Sequence, residues 1–231
     1  MCARPGQYDE IPSNEQGKTH VPTTEEHTAL ATTLTDGVLQ RHPWSHAYLR
    51  RALPESLGAD LVRDFEQFRL IRTGRETGAK PYQFAHTELR GASWGGVSPA
   101  WQFVADVITG SDYRRNLERL TGVDLGGAEV GMDLWEYRGN DWLAPHVDKE
   151  DKIVTQILYL TENWTDRDGG QLLILNSNDP ADLHRALPPR MGSSAILVRS
   201  ESSWHTVAKI APGGAPRRSL TITFRQTRTN R

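Results

Sequence analysis

Two periodicities divide the chain. As far as about Leu120, apolar residues recur mostly at helical spacing, and from Glu129 onward they alternate. Leu30, Leu34 and Val38 mark one face of a helix over Thr23–Gln40, opened by the capping box Thr23-x-x-Glu26 and ended by Pro43. Ala47–Leu53 reads as a short strand. Pro54 opens a second helix, with Leu57, Leu61, Val62, Phe65 and Phe68 on one side. Pro99–Ile108 forms a third, turning Trp101, Val104, Ala105 and Ile108 inward. Tyr113, Leu117 and Leu120 suggest a fourth, stopped by Thr121-Gly122. Residues 72–97 show neither period and read as a long irregular loop. Loops of this length in compact domains are often functional. Its cations Arg72, Arg75, Lys80 and Arg90 are suited to meet an anionic group on a substrate.

The alternating half breaks into strands at 129–137, 152–160, 170–175, 193–199, 205–210 and 217–225. Arg138-Gly139-Asn140, Asp168-Gly169-Gly170 and Pro212-Gly213-Gly214 supply turns between them. Helices first and strands afterwards predict an α+β domain, in which helices buttress an antiparallel double sheet. An eight-stranded jelly roll is the expected closed form, because closure protects strand edges and leaves a central cavity. The expected organisation is a flexible arm over residues 1–22 and one domain over 23–231. Within that domain, 23–125 is helical support and 129–225 the barrel core.

Composition narrows the class without naming a function. A chain of 231 residues with 37% hydrophobic and 24% charged residues can bury a substantial core. The formal net charge of -2 gives no electrostatic footprint for nucleic acid or a membrane surface. One cysteine, Cys2, permits no internal disulfide and fits a reducing compartment. No apolar run is long enough to span a bilayer, and no leader pattern is visible, so a cytoplasmic location is expected. The sequence leaves the oligomeric state open.

The chemistry centres on His146-Val147-Asp148. Two residues apart on an extended segment, an imidazole and a carboxylate point to one face. They supply two of the three ligands of a facial triad, and His205 in Trp204-His205-Thr206-Val207 is the natural third. Zinc also accepts two histidines and an aspartate, so the ligands alone do not choose the metal. The C-terminal strand argues further. Alternation puts Arg217, Ser219, Thr221 and Thr223 on one face, and Arg218, Leu220, Ile222 and Phe224 on the other. A buried arginine needs an anion, and a carboxylate matches its fork best. Ser219 offers a hydroxyl to the same anion.

At these residues the chain resembles the 2-oxoglutarate- and Fe(II)-dependent dioxygenases, in particular the prolyl-4-hydroxylase-like branch. The likeness spans roughly Leu53 to Phe224. It is carried by Tyr137-x-x-Gly139, His146-x-Asp148, Leu158-Tyr159-Leu160, Trp164, Gly169-Gly170-Gln171-Leu172, Gly192, Trp204-His205-x-Val207 and Arg217-x-Ser219. The resemblance implies a double-stranded β-helix, a jelly-roll or cupin-like barrel with N-terminal supporting helices. It implies iron bound by His146, Asp148 and His205. It implies 2-oxoglutarate held by Arg217, with Tyr159, Ser219 and Tyr137 beside it. Fe(II), O2 and the cosubstrate would then hydroxylate an unactivated C–H bond and release succinate and CO2, with ascorbate as an optional reductant. Halogenases of the superfamily carry Gly or Ala at the carboxylate position, so Asp148 argues against halogenation.

Strand parity with Tyr137 makes Trp135 and Asp133 substrate-contact candidates. Arg199, Trp142 and His86 join them from the strand before His205, the segment before the metal motif and the 72–97 loop. His20, His27, His42, His46 and His184 read as surface or locally bonded residues. The expected substrate is a small molecule such as an amino acid, peptide or natural-product intermediate. Alternatives are hydroxylation of a residue in a protein, the same chemistry ending in desaturation, epimerisation or cyclisation, and a cupin-like metal-binding protein without turnover.

Overall fold

The computed structural model describes residues 29–78, 80–89 and 98–227. The arm over 1–22, the capping box at Thr23 and Glu26, His20, His27, Arg90 and Trp94 lie outside them. Strands form a single antiparallel system: β1 (His46–Leu49), β2 (Ile71–Arg75), β3 (Tyr82–Leu89), β4 (Glu129–Tyr137), β5 (Trp142–His146), β6 (Lys152–Tyr159), β7 (Leu172–Leu175), β8 (Leu183–Leu187), β9 (Ser194–Val198), β10 (His205–Val207) and β11 (Arg217–Arg225). Their order is β1-β9-β6-β11-β4-β3-β5-β10-β7-β8, with β2 pairing outside β3. This near-closed barrel is a double-stranded β-helix.

Alternation gives the barrel two different faces. On β11, Leu220, Ile222 and Phe224 join Leu134 of β4 and Val154 and Leu158 of β6 beneath the helices. There they meet α1 (Glu55–Arg63), α2 (Pro99–Thr109) and α3 (Ser111–Thr121) through Leu57, Leu61, Trp101, Val104, Ile108 and Leu117. The opposite face encloses a second core, including Phe84, Tyr137, Ile157, Tyr159, Leu172, Leu197 and Val207. β11 is therefore a central strand. Its polar face looks into the barrel, not into solvent.

The helices follow their sequence signals. Pro99 occupies the first turn of α2, where its missing N–H costs nothing. Gly122 closes α3 with φ 72°, returning its N–H to the Glu118 carbonyl. The expected helix over Thr23–Gln40 is shorter at its C-terminal end. A 3-10 turn at Thr33–Asp36 gives way at Gly37 to extended backbone, which leaves Val38 69% exposed although Leu30 and Leu34 are buried.

The largest departure lies in 72–97. Its described part is not an irregular loop but the hairpin β2–β3, with Ile71 opposite His86 and Arg75 opposite Tyr82. Tyr82, Phe84, His86 and Glu88 share one face, so a period of two is present. Their mix of aromatic and charged types conceals it from a reading based on hydrophobicity. His184, expected at the surface or locally bonded, lies on β8, a mostly exposed strand paired with β7.

Candidate active site

Strand register assembles the site. His205 on β10 lies directly opposite His146 on β5, which puts the two imidazoles on one face with ring centroids 4.2 Å apart. Asp148 follows His146 at the same parity just beyond the strand end. Ligand atoms of His146, Asp148 and His205 lie within 4.8 Å of one another. All three residues are buried.

Each imidazole is fixed by the backbone two residues before it. Nδ1 of His146 lies 2.9 Å from the Ala144 carbonyl, and Nδ1 of His205 lies 2.9 Å from that of Ser203. A carbonyl only accepts, so each Nδ1 carries the proton and each Nε2 keeps a lone pair for a metal. Burial holds both imidazoles below their ordinary pKa, and for His146 the neighbouring His205 adds to the effect. Asp148 receives Lys152 Nζ at 2.6 Å on one oxygen and Thr155 Oγ1 at 2.8 Å on the other. Burial alone pushes its carboxyl up. The charge of Lys152 and its hydrogen bond outweigh that effect and hold it well below the carboxylate range.

At the other end of the lumen, Arg217 is 2% exposed. Its guanidinium stands 4.9 Å from the Tyr137 ring centre and 5.1 Å from that of Tyr159. Register aligns Arg217 with Tyr137, and Ser219 with both Trp135 and Tyr159. Arg217 Nε, Ser219 Oγ and Tyr159 Oη are buried without a hydrogen-bond partner. Burial pushes the Tyr159 phenol up to about 12 against the pull of the Arg217 charge. Arg218 points to the helical side, where Nε donates to Glu136 at 2.9 Å.

One pocket of about 500 Å³, mouth included, joins both ends. Its lining includes the triad, Arg217, Ser219, Tyr137, Trp135, Lys80 and Lys152, with Leu143, Ile157, Leu172, Leu197 and Val207 as apolar wall. Tyr159 is fully buried behind this surface. Gly170 adopts φ 76°, and a Cβ there would press on Ile210 and come within 3.2 Å of Arg217 Cδ. The Gly169-Gly170 pair thus leaves room for the arginine stem.

Among the five residues expected to touch substrate, Trp135 alone lines this pocket. Trp142 is a correction: it shares the parity of His146, but a register shift between Leu143 and His146 brings Leu143 inward and leaves Trp142 out of the lining. Arg199 is another, since it is not in the lining and pairs with Glu201 at 2.6 Å. His86 stacks on Trp135 at 5.3 Å without lining the pocket. Asp133 also lies outside the lining. Burial and the nearby Glu88 raise its pKa. Arg72, one of the loop cations, is engaged by the buried Asp141, with one bond at 2.8 Å. Thr155 and Lys152 were not anticipated. Thr155 was legible in principle, as a hydroxyl between Ile153 and Ile157 on the inward parity of β6. Lys152 gives no such signal, because a lysine at a strand end is ordinary.

The donor set fits the group it would have to hold. Two neutral imidazoles and one ionised carboxylate suit Fe(II), and the orphaned donors around Arg217 suit a carboxylate. Residues 132–225 match the family model of the 2OG-Fe(II) oxygenase superfamily. The chain is 31% identical over 117 residues to prolyl 3-hydroxylase OGFOD1 of Xenopus laevis, covering 49% of this chain and 23% of that protein. Its fold resembles a Pseudomonas putida prolyl-4-hydroxylase (TM-score 0.62, 22% identity, 86% of this chain and 99% of that one). It also resembles the epimerase SnoN from nogalamycin biosynthesis (TM-score 0.54, 14% identity, 88% and 84%). Over residues 132–225 the chain is thus similar to the 2OG-Fe(II) oxygenase superfamily, whose members work with Fe(II), 2-oxoglutarate and O2, and its fold is the one these solved structures share.

Proposed function

We propose that this protein is an Fe(II)- and 2-oxoglutarate-dependent dioxygenase that hydroxylates a C–H bond of a small molecule. The observation that carries the reading is the shared lumen: a tautomer-fixed His-Asp-His set at one end and a buried arginine with unpaired neighbours at the other. His146, Asp148 and His205 hold the metal through two Nε2 atoms and a carboxylate oxygen. Thr155 and Lys152 keep that carboxylate oriented. Arg217 and Ser219 take the distal carboxylate of the cosubstrate, with Tyr159 donating its phenol. Tyr137 braces the guanidinium. When bound, iron and 2-oxoglutarate supply the oxidising power, as O2 is reduced and the oxo acid is converted to succinate and CO2, with one oxygen atom entering the substrate. The apolar wall from Leu143 to Val207 excludes water around this chemistry.

The small-molecule reading rests on a pocket drawn from the lumen and the turn before β3, with no further module among the described residues. The prolyl hydroxylases among its relatives favour a second reading, hydroxylation of a residue in a protein. The same hydrogen abstraction can also end in desaturation, cyclisation or epimerisation.

The deciding experiment incubates host-cell small-molecule extract with enzyme, Fe(II), 2-oxoglutarate and ascorbate, and follows succinate and masses. His146→Ala is the control. A product heavier by one oxygen, absent with the variant, is the expected result. Succinate without a small-molecule product would move the search to peptides and proteins. Metal binding without succinate in any extract would instead favour a non-catalytic cupin-like protein.

A further inference from the structure

The described cations of the barrel and hairpin are nearly all committed. Lys152 serves Asp148, Arg72 serves Asp141, Arg138 and Arg218 serve Glu136, and Arg199 serves Glu201. Arg217 faces the cosubstrate end. Lys80 is different. It lines the pocket with His146, Asp148 and His205, yet among the described residues its Nζ makes no ion pair or hydrogen bond.

Its placement is built by the hairpin. Lys80 lies in the turn between β2 and β3, and Arg75 Nη2 donates to its carbonyl at 2.9 Å. The next carbonyl, that of Pro81, accepts the Ala144 N–H at 3.0 Å. Ala144 is the residue whose own carbonyl orients His146. One short run of backbone therefore places the ammonium beside the metal position. The Arg72–Asp141 pair pins the same hairpin to the β4–β5 turn.

Charge makes the same point. The lining carries Lys80, Lys152 and Arg217 against Asp148 as its one acidic residue. A divalent metal and dianionic 2-oxoglutarate cancel one another, so the loaded pocket keeps two positive charges. A partly buried ammonium without a counter-ion is costly and is relieved by an anion.

We propose that Lys80 is the substrate-anchoring residue of this site, and that the substrate is a small carboxylic acid, such as a free amino acid, whose carboxylate pairs with Lys80 Nζ. The inference rests on the dioxygenase reading of the pocket and specifies its substrate class. An ammonium on a flexible stem is a single point charge, which one carboxylate neutralises. An internal residue of a polypeptide has no main-chain carboxylate to offer.

The test uses the full chain loaded with Mn(II) and 2-oxoglutarate, titrated with free L-amino acids and with their carboxamides. Binding is read by tryptophan fluorescence, for which Trp135 in the lining is the reporter. At least one acid should bind about tenfold or more tightly than its amide, a difference of about 1.4 kcal/mol. Lys80→Met should erase that difference, and Lys80→Arg should restore part of it. The proposal is overturned if no acid is preferred, if the preference survives Lys80→Met, or if Lys80→Met weakens 2-oxoglutarate itself, which would assign Lys80 to the cosubstrate. Failure of the wild-type protein to bind 2-oxoglutarate in the presence of Mn(II) would instead defeat the underlying reading.

Discussion

At the His146–Asp148–His205 end of the lumen, both Nδ1 atoms and both carboxylate oxygens already have protein partners. At the Arg217 end, Nε of the arginine, the Ser219 hydroxyl and the Tyr159 phenol have none. The first end is completed by the fold before any guest arrives. The second is left for a guest to complete. A metal with fixed stereochemistry rewards ligands that do not have to move. A cosubstrate that must enter and leave on every turnover needs donors not already engaged by the protein.

The sharpest way to break this contrast is to remove a ligand from the finished end. His205→Ala should cut affinity for Fe(II) or Mn(II) by more than about 100-fold, since loss of even an outer partner of a ligand costs 10- to 100-fold. Metal titration followed by calorimetry measures it, and retained tight binding would show that the three residues are not the ligand set. Next comes Arg217→Met. It should weaken 2-oxoglutarate by about 2–5 kcal/mol, the usual loss when one partner of a buried charge pair is truncated. The ligand-free variant should be at least as stable as the wild type, because an uncompensated buried charge has gone. Thermal melts with and without cosubstrate read both effects. A ligand-free variant that melted well below the wild type would mean that the arginine is a structural element. The smallest change is Thr155→Val, which takes one donor from Asp148 and should lower metal affinity about tenfold. An unchanged affinity would mean that Lys152 alone orients the carboxylate.

Much of this architecture could be read from residue patterns, and the failures have physical causes. His146 and Asp148 were legible because a spacing of two is informative on extended backbone. The parity of Arg217 and Ser219 was equally clear, and it separated Arg217 from Arg218 correctly. What parity did not reveal is which side of a sheet is the interior. β11 has an apolar face and a polar face, and both are buried, one against helices and one around the pocket. The β2–β3 hairpin is hidden in the sequence because the shared face of β3 mixes Tyr82 and Phe84 with His86 and Glu88, so its period of two does not show as hydrophobic alternation. Trp142 has the parity of His146, and the register shift on β5 that takes it out of the lining leaves no mark in the sequence. The carbonyl tethers on the two histidines left no trace in the sequence, since any residue supplies a carbonyl.

Those tethers fix where protons reside before metal arrives. Most histidine sites release protons as they load, because imidazolium must give up its charge to the metal. Here both imidazoles have their pKa lowered by burial, and Asp148 is held ionised against its own burial by the charge and hydrogen bond of Lys152. At neutral pH all three donors are therefore already in the form that a cation binds. Metal uptake should leave the proton count of the solution unchanged, and its calorimetric heat should be the same in buffers of very different ionisation enthalpy. The barrel, in folding, has already done the acid–base work that a flexible chelator would perform at the moment of capture.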